Sequence, residues 1–477
     1  MLDLDSAVLQ EIDAAPDVRA ALSARVQAVE KTATTGARIE RVEVPVPVSV
    51  PLIDWMRAQP HSETVYWAGR EEARTVAAVG AADVVASTAA PVDYDALGAA
   101  LEARLRGAAP AVRYYGGVRF DAAQPSATDR PDRRWTPFGT YRFVLPRFEL
   151  VSTETDLRLV CNLVRPRDTR RTEAVRERLK ALALPSPEER PPLPRPYHRQ
   201  NVPNHEGWTD MIRWALDAIQ DESLDKVVLA RRVTLALRDS MDPLLVLNHL
   251  ETATPGCYHF ALRPADGPAF VGASPERLFR RDRRHVTSEA VAGTRPRGQT
   301  EAEDRALRTE LLQSPKERRE HAFVEDAIRT HLQTVCHGPI CSPHGTGELA
   351  LARGRHLHSR LTGTLRPETT TTDLLKVLHP TPAVGGVPTE KAVAAIRAQE
   401  PFDRGWYAGP VGWMGREAAE FAVGIRAGLV EESQIALFSG AGIVDGSTPD
   451  REWDEIEQKI GDFAAIMGVV DSDTASV

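Results

Sequence analysis

The chain has 477 residues, of which 42% are hydrophobic and 26% charged, and its formal net charge is −8. This composition is typical of a globular protein with a large core, and the acidic balance argues against a general nucleic-acid-binding protein. No stretch predicts a membrane-spanning helix or a signal peptide, so we expect no membrane partner and a cytoplasmic location. The cysteines form no CxxC pair, which argues against a zinc site; they are Cys161, Cys257, Cys336 and Cys341.

The first half of the chain predicts one helix followed by strands. Residues 1–40 carry apolar residues at helical spacing, and residues 41–53 alternate as in a strand interrupted by prolines. Gly116 and Gly117 predict a turn or a bulge. The Pro-rich segment 185–203 is interpreted as an extended connection between an N-terminal and a C-terminal half. Further strands are predicted at 64–67, 140–145, 148–152 and 156–164.

The second half predicts strands in hairpin-like succession with helices between groups of them. This arrangement favours a mixed α+β fold over a doubly wound parallel sheet. The predicted helices cover residues 205–221, 301–333, 370–378, 390–398 and 449–470. The predicted strands cover residues 226–237, 258–262, 269–273, 406–413, 419–429 and 435–438.

Two of these helices carry acidic pairs three residues apart. The pairs are Glu317 with Glu320 and Glu452 with Glu455. This spacing places both carboxylates of a pair on one helix face, and oxygen ligands suit a hard cation such as Mg²⁺. Acidic residues on a helix are more often a solvated face, so the pattern alone does not establish a metal site.

A glycine-rich segment, SGAGIVDGSTP, precedes the last predicted helix and contains Gly440 and Gly442. Glycines allow backbone N–H groups to approach an anion closely, although tight turns are an alternative interpretation. The segment lacks the strand–GxGxxG–helix pattern of a dinucleotide site.

The C-terminal half resembles the chorismate-binding enzyme family, whose members include isochorismate, salicylate, anthranilate and aminodeoxychorismate synthases. Eight motifs occur in the family's order between residues 205 and 470, whereas the first 200 residues match less specifically. The matching motifs are DKVVLAR (225–231), GASPERL (272–278), EAVAGTRPRG (289–298), SPKERREH (314–321), HPTPAVGG (379–386), RGWYAGPVGW (404–413), FAVGIRAG (421–428) and GAGIVDGS (440–447).

The resemblance implies a large α+β fold with a two-sheet, mostly antiparallel β core, helices outside and the active site in a cleft. It implies that residues 1–200 complete this fold and that residues 201–477 form the chorismate-binding catalytic region. Chorismate is the implied small-molecule substrate and Mg²⁺ the implied cofactor. We expect a monomer or weak oligomer.

The resemblance also assigns site residues, position by position. Glu320 and Glu455 match the Mg²⁺ ligands, and Glu317 and Glu452 match residues that reach the metal through water. Arg426 with Tyr407 matches the pair that binds the enolpyruvyl carboxylate, for which an Arg fork is well suited. The full set that matches substrate contacts is Thr294, His379, Tyr407, Arg426, Gly440 and Gly442.

Within the family, the residues favour isochorismate formation. Lys226 matches the base that activates water, and Glu276 matches the acid that protonates the departing hydroxyl. A surface lysine at the start of a strand is the alternative interpretation of Lys226. Ala292 replaces the nucleophilic lysine of many aminodeoxychorismate synthases. No tryptophan-sensing LLES motif is present, and we expect no glutaminase subunit.

Three other activities stay open at this point. A salicylate synthase would form isochorismate and then eliminate pyruvate. An amino-transferring synthase is less well matched, and a paralogue that only binds chorismate would be expected to lack the base, the acid or the metal carboxylates. The product pathway, menaquinone or siderophore, is equally open.

Overall fold

The computed structural model describes residues 15–30, 38–47, 49–60, 63–71, 74–123, 132–183, 185, 190–352 and 354–466. Its strands are β1 (Arg38–Pro45), β2 (Thr64–Ala68), β3 (Thr75–Ser87), β4 (Tyr114–Val118), β5 (Tyr141–Ser152), β6 (Leu157–Arg165), β7 (Pro196–Val202), β8 (Lys226–Leu237), β9 (Tyr258–Arg263), β10 (Ala269–Ser274), β11 (Arg277–Asp282), β12 (His285–Pro296), β13 (Gly347–Ala350), β14 (Gly354–Thr364), β15 (Gly386–Val387), β16 (Pro410–Met414), β17 (Ala418–Val423), β18 (Ala427–Glu431) and β19 (Gln434–Ile443). Its α-helices are α1 (Ala15–Glu30), α2 (Leu52–Arg57), α3 (Tyr94–Leu105), α4 (Thr172–Lys180), α5 (His205–Gln220), α6 (Pro243–Ala253), α7 (Glu301–Gln313), α8 (Pro315–Val335), α9 (Thr371–Leu378), α10 (Thr389–Gln399) and α11 (Pro449–Ile466). Within these described residues, no helix is long and apolar enough to cross a membrane.

Every strand pairing in the described chain is antiparallel, and strand β5 joins two branches of strands. One edge of β5 pairs with β3, and the other edge is shared by β4 and β6. The first branch runs β3–β2–β9–β10–β18–β19–β8, and the second runs β4–β16–β17–β11–β12–β14. The branches touch where the Tyr258 hydroxyl donates to Glu420, at 2.9 Å. The predicted α+β fold with its antiparallel core is confirmed, and β5 makes the two layers one hydrogen-bonded network.

Helices cover the outer surfaces of the strands. Helix α8 packs against β12 and β14, and α11 packs against β19 and α5. Strands β10 and β16 are buried along their whole length, which explains why their sequences are apolar without alternation. This packing brings the two acidic helices against neighbouring parts of the sheet.

The N-terminal segment shares the sheet with the C-terminal region, because β2 pairs with β9 and β4 pairs with β16. The predicted connection over 185–203 contains strand β7, which pairs with β8, while residues 184 and 186–189 lie outside the described residues. The boundary at residue 200 stays a prediction.

Several predicted elements of the first half differ from the structure. The helix predicted over 1–40 is wrong at its end, where β1 begins at Arg38, and residues 1–14 and 31–37 lie outside the described residues. The strand predicted over 41–53 ends at Pro45, and helix α2 begins after Pro51, since proline tolerates a helix start but cannot donate to a strand ladder. Gly116 and Gly117 lie inside β4 rather than in a turn, and their pairing with β5 and β16 shows no bulge. Glycine is required at residue 116 because a Cβ atom there would lie 1.8 Å from the Arg142 carbonyl oxygen.

Several predicted elements of the second half differ from the structure, and two of them are divided. The helix predicted over 301–333 breaks into α7 and α8 at Ser314, since Pro315 cannot continue a helix and the Ser314 hydroxyl caps α8. The strand predicted over 419–429 becomes β17 and β18, separated at Arg426, which has a positive φ of 48°. The strand predicted from residue 406 begins only at Pro410. The last helix ends at Ile466, and residues 467–470 lie outside the described residues.

Candidate active site

A cavity of about 280 Å³ lies between helices α8 and α11 and strands β12, β18 and β19. Residues from several parts of the C-terminal region line this cavity, because the two helices pack against these strands. Almost all of the site residues predicted from the sequence line it: Glu276, Thr294, Glu317, Glu320, Tyr407, Arg426, Gly440, Gly442, Glu452 and Glu455.

Lys226, the first residue of β8, is completely buried beside this cavity. Its Nζ atom donates a hydrogen bond to Oε1 of Glu320, at 2.8 Å. Because Glu320 lines the cavity, the amine of Lys226 lies at the cavity's edge. A solvent-exposed structural lysine is therefore excluded. Gly442 leaves room for the pair, because a Cβ atom there would lie 2.8 Å from Glu320 Oε1 and 3.0 Å from Lys226 Cε.

Glu276 follows β10 and faces the cavity with a buried carboxyl group. Its Oε1 atom has no hydrogen-bond partner in the described structure. Burial raises the pKa of Glu276 to about 8; Lys226 opposes this rise and Glu289 adds to it. The carboxyl group is therefore protonated at neutral pH and can donate a proton into the cavity.

The four glutamates predicted to bind the metal each lie beside a lysine or arginine side chain. Burial, and next the neighbouring Glu455, raise the pKa of Glu452. Lys459 is the main cause that lowers the pKa of Glu455. The nitrogen–oxygen distances are 3.0 Å for Arg295–Glu317, 2.8 Å for Lys226–Glu320, 3.9 Å for Lys316–Glu452 and 2.7 Å for Lys459–Glu455.

This donor set fits a hard divalent cation in its chemistry. It offers only carboxylate oxygens, and the pKa of Glu452 is raised first by burial and next by the charge of Glu455, which a cation would offset. Among the described residues, no three acidic, His or Cys side chains stand in a metal-ligating arrangement. In the structure these carboxylates instead lie beside lysine and arginine side chains.

Arg426 reaches the cavity from the turn between β17 and β18, and a histidine that the sequence analysis missed contacts it. An Arg426 guanidinium nitrogen, Nη2, lies 3.2 Å from Nε2 of His356. Burial, and next the charge of Arg426, lower the pKa of His356 to about 3, so the ring is neutral. Its Nδ1 lies 3.1 Å from both the Gly293 carbonyl oxygen and the Thr294 hydroxyl, which makes Nδ1 the donor and Nε2 the acceptor from Arg426. A single histidine on a strand has no spacing signal, so only the β12–β14 pairing could reveal it.

Tyr407 and Gly440 lie next to each other in the lining of the cavity. The Tyr407 ring stacks on Phe438 with 5.2 Å between centroids, and burial raises the pKa of its hydroxyl group. A Cβ atom at Gly440 would lie 3.4 Å from the Tyr407 hydroxyl. Lys459, which the sequence analysis also missed, donates from Nζ to the Gly440 carbonyl oxygen at 3.1 Å. Lys459 lies four residues after Glu455 on α11, and this spacing could have indicated in the sequence that the two side chains meet.

The structure does not bring His379 to the cavity. The residue caps the C-terminus of α9, and its Nε2 lies 2.9 Å from the Phe120 carbonyl oxygen. Its ring meets the Phe120 ring edge-on, and burial lowers the pKa of the imidazole to about 4. The buried ring is hydrogen-bonded to the backbone, and the substrate contact predicted for His379 stays a prediction.

Comparison with known proteins identifies the family. A family model described as chorismate binding enzyme matches residues 26–468. The chain belongs to the chorismate-binding enzyme family. Isochorismate synthase 2, chloroplastic, from Arabidopsis thaliana is 34% identical over 457 residues, which cover 89% of this chain and 80% of that protein. Isochorismate synthase MenF from Bacillus subtilis is 35% identical over 372 residues, covering 77% of each chain.

The fold agrees with that of a solved member of the chorismate-binding family. The menaquinone-specific isochorismate synthase MenF from Escherichia coli superposes with a TM-score of 0.80 at 26% identity. The match covers 94% of this chain and 99% of that one. The similarity therefore extends through the N-terminal strands as well as the cavity.

Proposed function

We propose that this chorismate-binding enzyme is an isomerase that converts chorismate to isochorismate in the cavity described above. The observation that carries the proposal is the pairing of a buried carboxylic acid, Glu276, with a buried amine, Lys226, at one cavity. The reaction adds water at ring carbon 2, releases the hydroxyl from carbon 4 as water, and shifts the double bonds between them. It needs one group that accepts a proton and one that supplies a proton.

Glu276 is the proposed acid. Its pKa of about 8 keeps the carboxyl protonated at neutral pH, and its unpartnered Oε1 leaves that group available to the substrate. Protonation of the carbon 4 hydroxyl lets it leave as water rather than as hydroxide. An exposed glutamate would be ionised at pH 7 and could not supply this proton.

Lys226 is the proposed base. To act as a base, Lys226 must be in its neutral form, in which it would accept a proton from the water that attacks carbon 2. In the structure the same amine donates a hydrogen bond to Glu320 at 2.8 Å. Loss of that hydrogen bond would free the amine to contact the attacking water. The proton taken up at Lys226 balances the one given up by Glu276, and the reaction leaves the substrate's composition unchanged.

The carboxylates of α8 and α11 are the proposed magnesium site. Glu320 and Glu455 would hold the cation directly, and Glu317 and Glu452 through water. When bound, Mg²⁺ supplies positive charge to the ring carboxylate of chorismate. The four side chains line one cavity on two helices, which supports this assignment.

Arg426 and Tyr407 are the proposed contacts of the enolpyruvyl carboxylate. Arg426 is oriented by the neutral His356, whose Nε2 accepts one of its N–H groups, and a guanidinium suits a planar carboxylate. Thr294 supports His356 from the neighbouring strand. Gly440 and Gly442 keep the floor of the cavity open.

Water is the proposed nucleophile, rather than ammonia or a lysine. Ala292 lines the cavity where a covalent amine would be needed for the aminodeoxychorismate branch, and its methyl group cannot form an adduct. We therefore propose an enzyme that works without a glutaminase subunit. The cytoplasmic location stays a prediction.

Incubation of the purified protein with chorismate and Mg²⁺, followed by chromatographic separation of the products, tests this proposal. We expect isochorismate without stoichiometric pyruvate. Salicylate with equimolar pyruvate would move the chain to the salicylate synthases, and anthranilate formed with ammonium salts would move it to the amino-transferring branch.

A further inference from the structure

Resting on the proposed function, we infer that Arg70, in the N-terminal segment, is a positioning residue that holds the loop carrying Glu276. Arg70 follows strand β2 and does not line the cavity. Its side chain is only 6% exposed, so its charge must be satisfied by protein groups. Its hydrogen bonds lead to the residue immediately before the proposed acid.

The guanidinium of Arg70 joins two neighbours of Glu276. Its Nη1 donates to the carbonyl oxygen of Pro275 at 2.6 Å, and its Nη2 donates to both carboxylate oxygens of Glu289, at 2.7 and 2.6 Å. Glu289 also accepts from Nη1 of Arg277 at 2.7 Å. Both sequence neighbours of Glu276 are thus connected to the buried carboxylate of Glu289, Arg277 directly and Pro275 through Arg70.

The opposite side of the same loop is fastened to strand β17. The Ser274 hydroxyl donates to the Val423 carbonyl oxygen at 2.6 Å, and the Val423 N–H donates to the Glu276 carbonyl oxygen at 3.0 Å. Pro275 has no N–H group, so its carbonyl is its only backbone group that can be anchored. Arg70 supplies that anchor, which leaves the Glu276 side chain directed into the cavity with Oε1 free.

The chemistry explains why this anchoring matters. A general acid works only within hydrogen-bond reach of the oxygen it protonates, and a displacement of about 1 Å can cost roughly a hundredfold in rate. Chorismate binding is assigned to Arg426, Tyr407 and the metal, and Arg70 contacts none of these. Loss of Arg70 should therefore lower kcat while leaving KM nearly unchanged.

Arg147 offers a matched control in the N-terminal segment. It is also a buried arginine that donates to one carboxylate, Asp168 at 2.6 Å, and to one backbone carbonyl, Asn162 at 2.7 Å. It is not among the residues that line the site cavity. Arg147→Met therefore has the general cost of removing a buried arginine without disturbing the Glu276 loop.

The test is a double-mutant cycle on the full chain, with isochorismate formation as the assay and Tm as the measure of folding. We expect Arg70→Met to lower kcat roughly ten- to a hundredfold with KM within about threefold, and Arg70→Lys to recover part of that loss. Arg147→Met should keep wild-type kcat. In a Glu276→Gln background, Arg70→Met should lower kcat no further, because a positioning residue has no effect once the group it positions is gone.

Two results would overturn the inference: equal kcat losses in Arg70→Met and Arg147→Met, or an undiminished Arg70 effect in the Glu276→Gln background. If Arg70→Met does not fold, Arg70→Lys decides, and wild-type kcat in that variant overturns the inference. Failure of the proposed function would look different, because the wild-type chain itself would then form no isochorismate.

Discussion

Replacing Glu276 by Gln should make the protein more stable at alkaline pH while removing its activity. The carboxyl is buried, and its pKa rises from 4.5 to about 8. The unfolded chain releases this proton above about pH 4.5, whereas the folded chain keeps it until about pH 8. The wild-type protein therefore loses stability as pH rises through this window, and the Gln variant, which does not titrate, is spared that loss.

The size of the effect follows from the pKa shift. Each pH unit inside the window corresponds to about 1.4 kcal/mol, so the variant should gain about 4 kcal/mol relative to wild type between pH 5 and pH 8. Turnover should fall roughly a hundredfold to ten-thousandfold, because glutamine cannot donate the proton. Urea denaturation at several pH values, with parallel assays, measures both changes.

Glu71→Gln is the control for this experiment. Burial alone would raise the pKa of Glu71, but Arg277 and its neighbours lower it overall, so both its folded and unfolded pKa lie below pH 5. Its stability difference from wild type should stay constant from pH 5 to pH 8. A constant difference for Glu276→Gln as well would refute the raised pKa and, with it, the assignment of the acid.

Three further predictions concern the base, the anion contact and the metal. Lys226→Ala should lower kcat roughly a hundredfold to ten-thousandfold with little change in chorismate affinity; steady-state kinetics would contradict this if affinity fell and turnover did not. Arg426→Ala should show the reverse pattern, with a strongly raised KM, because it deletes an arginine–carboxylate contact. Chelation should abolish activity, and Glu320→Gln or Glu455→Gln should weaken Mg²⁺ binding in calorimetry without lowering Tm; full turnover after exhaustive metal removal would exclude the magnesium site.

The sequence was most informative where motifs and periodicity agree. Strand β8 begins and ends at the predicted residues, and the i, i+3 glutamate pairs lie on two helices that line one cavity. Ser314 followed by Pro315 marks a helix break that the long charged pattern concealed.

Contacts between distant segments could not be obtained from one sequence. Gly116 resembles a turn residue, but the close approach of β5 is what requires it. His356 meets Arg426 only through the pairing of β14 with β12, and His379 matches a family motif although its ring is bonded to the backbone of Phe120. Arg70 is likewise 219 residues from Glu289, and the two meet only in the folded chain, where β2 pairs with β9.

The origin of the new hydroxyl oxygen tests the central claim most directly. The enzyme would be run with chorismate and Mg²⁺ in water enriched in ¹⁸O, and isochorismate would be analysed by mass spectrometry at early times. Because water is the proposed nucleophile, the product should be about 2 mass units heavier, with the label on carbon 2. Unlabelled isochorismate would show that the substrate's own hydroxyl migrates, which would contradict the roles given to Lys226 and Glu276.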